Sequence, residues 1–126
     1  RRVLVVDDNH DAATTLAMML ELEGHDAQAA FGGAEGLRAA EAALPEIAFL
    51  DIGMPGMNGY ELARRLRQLP GAEAMLLVAV SGWGGEGDKL QSADAGFDLH
   101  LTKPVSVESV QAAVARGTRA SEAGHG

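Results

Sequence analysis

The chain has 126 residues, no cysteine and a formal net charge of −8 at pH 7, a length that suits one domain able to bury roughly two-thirds of its unfolded surface without staples. Disulfides and thiolate metal centres are excluded, and the acidic balance argues against a nucleic-acid surface, which needs a basic stripe to displace counterions from phosphates. No apolar stretch approaches the ~20 residues that cross a bilayer, and no charged-then-apolar leader is present, so a cytoplasmic domain without membrane contact is expected.

Residues 3–6 are the first short apolar run, and they close on Asp7 and Asp8. Asp8 or Asn9 can cap a helix carrying Ala13, Leu16, Ala17 and Leu20 at i, i+3, i+4, i+7, and Gly24 stops it. Residues 25–30 form a weak second strand. Gly32 and Gly33 then turn into a helix with Leu37, Ala40 and Leu44 inward, broken by Pro45. The run 47–50 closes on Asp51, followed by a loop of Gly53, Pro55, Gly56 and Gly59 and a helix with Leu62, Leu66 and Leu69 on one face. The run 75–80 closes on Ser81 and leads into a glycine-rich loop. A weak helix over 87–95 follows, then an edge strand over 97–101 closing toward Lys103, and Ser106 caps a last helix through Val110 and Val114. Short Val-, Leu- and Ile-rich runs bounded by turn-formers read as buried parallel strands. Five strands alternating with five helices give a doubly wound α/β fold with right-handed crossovers.

In such sheets ligands bind outside the carboxyl ends of the strands. Asp7, Asp8, Asp51, Ser81 and Lys103 therefore converge on one rim. Crowded carboxylates raise one another's pKa unless a cation sits among them, and hard oxygen ligands suit Mg²⁺ in company with a phosphate. A phosphoryl group held there needs a nucleophile and charge neutralisation on its equatorial oxygens. Asp51 can attack as a carboxylate and form an acyl phosphate, Lys103 supplies a compact positive charge, and the Ser81 hydroxyl can donate to another oxygen.

With these residues in order, and with Met54, Pro55 and Gly59 after Asp51 and Pro104 after Lys103, the chain resembles the receiver domains of two-component response regulators from Val3 to about Arg116. The resemblance implies the flavodoxin-like (βα)5 arrangement with strand order 2-1-3-4-5, the order known for the chemotaxis receiver and carried over from it. It implies Asp51 as phosphoacceptor, and Asp8, Asp51 and the Gly53 carbonyl as Mg²⁺ ligands with Asp7 holding a metal-bound water. Ser81 would be the switch hydroxyl, Lys103 the phosphoryl-binding lysine, and the Lys103–Pro104 bond cis. The implied partner is a histidine kinase or histidine phosphotransfer protein. The domain would span 1–120, with 121–126 a flexible tail.

The run from Ala95 through Phe97 and His100 to Val105 is similar to receivers attached to hybrid sensor kinases, a freestanding receiver being the alternative. The start at Arg1 and the small polar end suggest a domain cut from a longer polypeptide. Oligomeric state is left open. Two departures from the family pattern stand out. His100 occupies the place of a gating Tyr or Phe, so it is either a switch or a half-exposed edge residue with no part in the transfer itself. Gly53 leaves the position two after Asp51 without a side chain. A haloacid-dehalogenase-type phosphatase shares the aspartyl nucleophile, Mg²⁺, hydroxyl and lysine, but needs an acid where Gly53 stands. An unphosphorylated pseudo-receiver is a third reading. His10 reads as a solvated first-turn residue, and Trp83 as either packing or a cover over the site.

Overall fold

The computed structural model describes residues 1–82 and 94–116. Its strands are β1 (Arg2–Val6), β2 (Asp26–Ala30), β3 (Ile47–Asp51), β4 (Leu76–Ser81) and β5 (Leu99–Thr102). The described helices are α1 (His10–Leu22), α2 (Gly33–Ala42), α3 (Gly59–Arg67) and α4 (Val107–Arg116), with a 3-10 turn at Ala72–Ala74. All five strands are parallel, in the order β2-β1-β3-β4-β5.

Strand side chains alternate between the two faces of a sheet, and the core divides accordingly. Leu4, Val6, Ala48, Leu50, Leu77 and Ala79 pack with Leu62 and Leu66 of α3 and Ala40 of α2. Val3, Val5, Ile47, Phe49, Val78 and Val80 pack with Leu16 and Leu20 of α1 and Val110 and Val114 of α4. Every residue of β3 and β4 is buried, which is why those strands read as continuous apolar runs rather than alternating ones.

Local chemistry sets the helix starts. Asn9 caps α1, its side chain accepting from Ala12 N at 3.1 Å, so the cap falls to Asn9 and leaves the Asp8 carboxylate for the rim. Asn58 caps α3 in the same way through Glu61 N at 3.0 Å. Glu61 in the first turn and Arg64, Arg65 and Arg67 in the last suit the dipole of α3. Ser106 accepts from Ser109 N at 3.0 Å and opens α4.

Three of the boundaries that differ from the sequence expectation have a visible cause. The edge strand starts at Leu99 rather than Phe97, because Phe97 is buried edge-on against Tyr60, with centroids 6.5 Å apart, and Asp98 is taken by Arg67. The Arg67 guanidinium pairs with Asp98 Oδ2 at 2.7 Å and also donates to the carbonyls of Gly96, Ala72 and Met75. Asp98 Oδ2 accepts from Leu77 N at 2.9 Å as well, tying the entrances of β4 and β5 to the end of α3. Helix α3 stops at Arg67, since Gln68 and Leu69 donate to carbonyls three residues back. Left-handed Gly71, at φ +84°, then leads into the 3-10 turn, and β4 begins at Leu76 rather than Met75. Trp83, most of the expected 87–95 helix and the 121–126 tail lie outside the described residues.

Candidate functional site

The residues closing β1, β3, β4 and β5 meet at one end of the sheet. Asp7 directly follows β1 and lies between Ala30 and Asn9: its backbone N donates to Ala30 O at 3.1 Å, and its Oδ1 accepts from Asn9 N at 2.9 Å. Asp51 ends β3, its Oδ1 accepting from Gly53 N at 3.2 Å. Past the strand end the ladder continues, with Ile52 N donating to Val80 O at 3.0 Å and Lys103 N donating to Ser81 O at 2.7 Å. Asp7, Asp51 and Ser81 are the buried polar residues of the described chain, between 6% and 7% exposed.

The loop after Asp51 returns very close to the strand it left. A Cβ on Gly59 would lie 2.6 Å from the Asp51 carbonyl oxygen and 2.8 Å from Ile52 Cα, so only glycine allows α3 to start there. Gly59 N in turn donates to Ile52 O at 3.2 Å.

Lys103 Nζ reaches Asp7 Oδ2 at 3.2 Å and Asp51 Oδ1 at 3.6 Å. Carboxylate oxygens of Asp7, Asp8 and Asp51 lie within 4.8 Å of one another, Asp8 being exposed and the other two buried. Burial drives the Asp51 carboxyl up from 3.8 to about 6; the Gly53 N–H pulls it down, Asp7 pushes it up by charge and hydrogen bonding, and Lys103 pulls it down. Burial of Lys103 works against its charge, but Asp51 and Asp7 outweigh it and the ammonium sits above its usual 10.5. The Lys103–Pro104 bond is cis. Acids thus outnumber the one ammonium among them, and the oxygen-only donor set suits a small hard dication.

The site opens into a groove of about 630 Å³ between α1 and the segment after β5, lined by Asn9, Ala12, Met19, Lys103, Pro104 and Val105 among others.

Every residue singled out from the sequence for the rim is at this end of the sheet. The Gly53 backbone meets Asp51 through its N–H. His100 is half-buried on the edge strand, and its Nε2 lies 2.8 Å from Ser81 Oγ, so the ring is hydrogen-bonded to a residue of the site. The signal was present in the alternation, because Leu99 and Leu101 pack on the α1/α4 side and His100 pairs with Ala79, two residues before Ser81 on the same face of β4. His10 is exposed but not simply solvated, since its ring stacks on Phe31 at a centroid distance of 4.0 Å and 14°.

Residues 3–115 match the response regulator receiver domain family. An uncharacterised 14.6 kDa protein of Leptolyngbya boryana is 39% identical over 103 residues, 82% of this chain and 79% of that one. Response regulator PleD of Caulobacter vibrioides is 35% identical over 104 residues, 82% of this chain but 23% of PleD, so the chain spans about a quarter of that relative. Among solved structures, a response regulator of Burkholderia pseudomallei, described with a phosphorylated aspartic acid and a calcium ion, superposes with a TM-score of 0.80 at 32% identity, covering 88% of this chain and 64% of that one. With the sheet order, the strand-end acids and the family match in agreement, the chain belongs to the response regulator receiver domains, phosphoacceptor modules of two-component signalling.

Proposed function

We propose that Asp51 is the phosphoacceptor and that the domain takes its phosphoryl group from the phosphohistidine of a histidine kinase or histidine phosphotransfer protein. The observation that carries this is the setting of Asp51, a buried carboxylate at the end of a central strand with Asp7, Asp8 and the Lys103 ammonium around it. In the transfer an Asp51 carboxylate oxygen attacks phosphorus, the O–P bond forms as the P–N bond to the donor breaks, and the imidazole leaves. Lys103 would neutralise an equatorial oxygen, and the Ser81 hydroxyl would donate to another. Asp8, Asp51 and the Gly53 carbonyl would hold Mg²⁺, with Asp7 behind a bound water; the ion would supply the charge that crowded acids require and screen the phosphoryl oxygens from them. The groove beside the site supports a protein donor, because its apolar floor on α1 adjoins Lys103.

Phosphorylation would draw Ser81 toward the new oxygens and reshape the chain after it, a local charge biasing a two-state surface. We place this switch in the cytoplasm, where such donors are made. The test is intact-mass measurement after incubation with acetyl phosphate and Mg²⁺. One added phosphoryl mass is expected on the wild-type domain and none on Asp51→Asn; equal labelling of both would remove Asp51 from the role.

A further inference from the structure

We infer that His100 is a positioning residue for Ser81, holding the hydroxyl from behind as a hydrogen-bond donor so that the hydroxyl proton is directed toward the phosphoryl group on Asp51. The inference rests on the reading of Asp51 and Ser81 given above.

His100 and Ser81 belong to adjacent strands and share a face, with Ala79 paired to His100 and Ser81 to Thr102. Ser81 Oγ and His100 Nε2 are 2.8 Å apart, a full hydrogen bond. The other ring nitrogen, Nδ1, is buried and has no hydrogen-bond partner among the described residues.

A neutral imidazole carries one N–H, and the two possible placements differ in what they leave buried. With the proton on Nδ1, a buried N–H donor is orphaned and Nε2 accepts the Ser81 proton. With the proton on Nε2, only a lone pair is orphaned, and orphaned donors are the rarer case in folded proteins. The Nε2–H form is therefore favoured, with His100 donating and Ser81 Oγ accepting. A hydroxyl has one proton and two lone pairs. Once His100 fills a lone pair, the proton of Ser81 cannot go to His100 and must be given to a different acceptor.

The acceptor is the one that the proposed role of Ser81 requires: Asp51 ends β3 and pairs with Val80, so Ser81 stands one residue farther along β4, at the rim where a phosphoryl group on Asp51 would project. The result is a donor relay, His100 Nε2–H to Ser81 Oγ, then Ser81 O–H to a phosphoryl oxygen, in which each bond polarises the next. No proton changes owner and no bond is made or broken. An aromatic hydrocarbon at position 100 could fill the same space but could not orient the hydroxyl.

The experiment has two arms on the full chain. Long-range ¹H–¹⁵N NMR of the neutral ring reads the tautomer directly; a proton on Nε2 is expected, and a proton on Nδ1 overturns the inference whatever the function of the domain. The second arm titrates beryllofluoride, a phosphoryl mimic, with Mg²⁺ present, against wild type, His100→Leu, His100→Gln and Ser81→Ala. His100→Leu should bind about tenfold more weakly, as expected for loss of one oriented hydrogen bond, and His100→Gln, whose amide N–H can stand in for Nε2–H, should recover to within about threefold of wild type. In the Ser81→Ala background, His100→Leu should have no further effect. Wild-type affinity in His100→Leu, or an equal loss in both backgrounds, would overturn the relay while leaving the receiver reading intact. Failure of the wild-type domain to bind beryllofluoride would overturn that reading, and the relay with it. Should His100→Leu fail to fold, the tautomer and a His100→Phe variant give the same decision.

Discussion

Replacing Asp51 by Asn in the metal-free domain is expected to raise its stability at neutral pH and to leave it nearly unchanged in acid. The wild-type carboxyl is held at about 6, against 3.8 for an ordinary one, with burial the leading cause and Asp7 adding to it. The folded state therefore binds this proton more tightly than the unfolded chain does. Below about pH 3.8 both states are protonated and the group costs nothing. As pH rises from 3.8 toward 6 the unfolded chain ionises first, so stability falls across that window and stays lower above it. At about 1.4 kcal/mol per pH unit, a rise from 3.8 to about 6 is a penalty of about 3 kcal/mol above pH 6. Asn keeps the shape and an oxygen for the Gly53 N–H without the charge. For a domain of this size the relief is worth roughly 10 °C in Tm. Thermal unfolding followed by circular dichroism in the presence of EDTA, from pH 8 to pH 4.5, should show the variant's advantage shrinking steadily below about pH 6. Saturating Mg²⁺ should narrow it at pH 8 by stabilising the folded wild type. An advantage independent of pH, or a variant that melts below wild type at pH 8, would refute the reasoning.

Asp8→Asn should weaken Mg²⁺ binding about tenfold or more, since a charged oxygen ligand becomes a neutral one, while the metal-free melting temperature holds or rises. Asn9 carries the helix cap, so a clear drop in that temperature would contradict the assignment. Arg67→Met should cost about 3–5 kcal/mol in urea unfolding, because the Asp98 side chain, 7% exposed, would be left without its cation. A loss under ~1 kcal/mol would mean that the surrounding backbone compensates for the missing guanidinium.

How far the sequence discloses this molecule depends on the range of the interaction responsible. The central strands β1, β3 and β4 are covered on both faces, and such strands declare themselves as short Val- and Leu-rich runs ending at Asp7, Asp51 and Ser81. The rim follows from topology, because parallel strands put all their carboxyl ends on one side. The start of β5 is a different case. Phe97 looks like a strand residue until Tyr60 offers an edge contact, and Asp98 breaks the run because Arg67, 31 residues earlier, claims it. The His10–Phe31 stack is also non-local, joining the first residue of α1 to the loop after β2. The choice of Asn9 over Asp8 as cap is local but degenerate, since either residue type can perform it. Alternation with Leu99 and Leu101 turns His100 away from the α1/α4 side, but its hydrogen bond to Ser81 depends on the β4–β5 register, which is not a local property of either run.

The hydrogen bond from Lys103 N to Ser81 O, at 2.7 Å, extends the β4–β5 ladder by one rung past the last strand residue. It makes the main chains beneath the hydroxyl and the ammonium a single stiff piece. Relative to that piece, the Ser81 oxygen has one freedom, rotation about its Cα–Cβ bond, whereas the Lys103 nitrogen has four torsions along its stem. A displacement of the β4 end would thus carry both backbones together and still leave Nζ able to keep its place between Asp7 and Asp51. The hydroxyl has no such slack. In this geometry charge compensation tolerates movement and hydroxyl orientation does not, so of the two groups it is the Ser81 hydroxyl that can report a change at Asp51 to the rest of the chain.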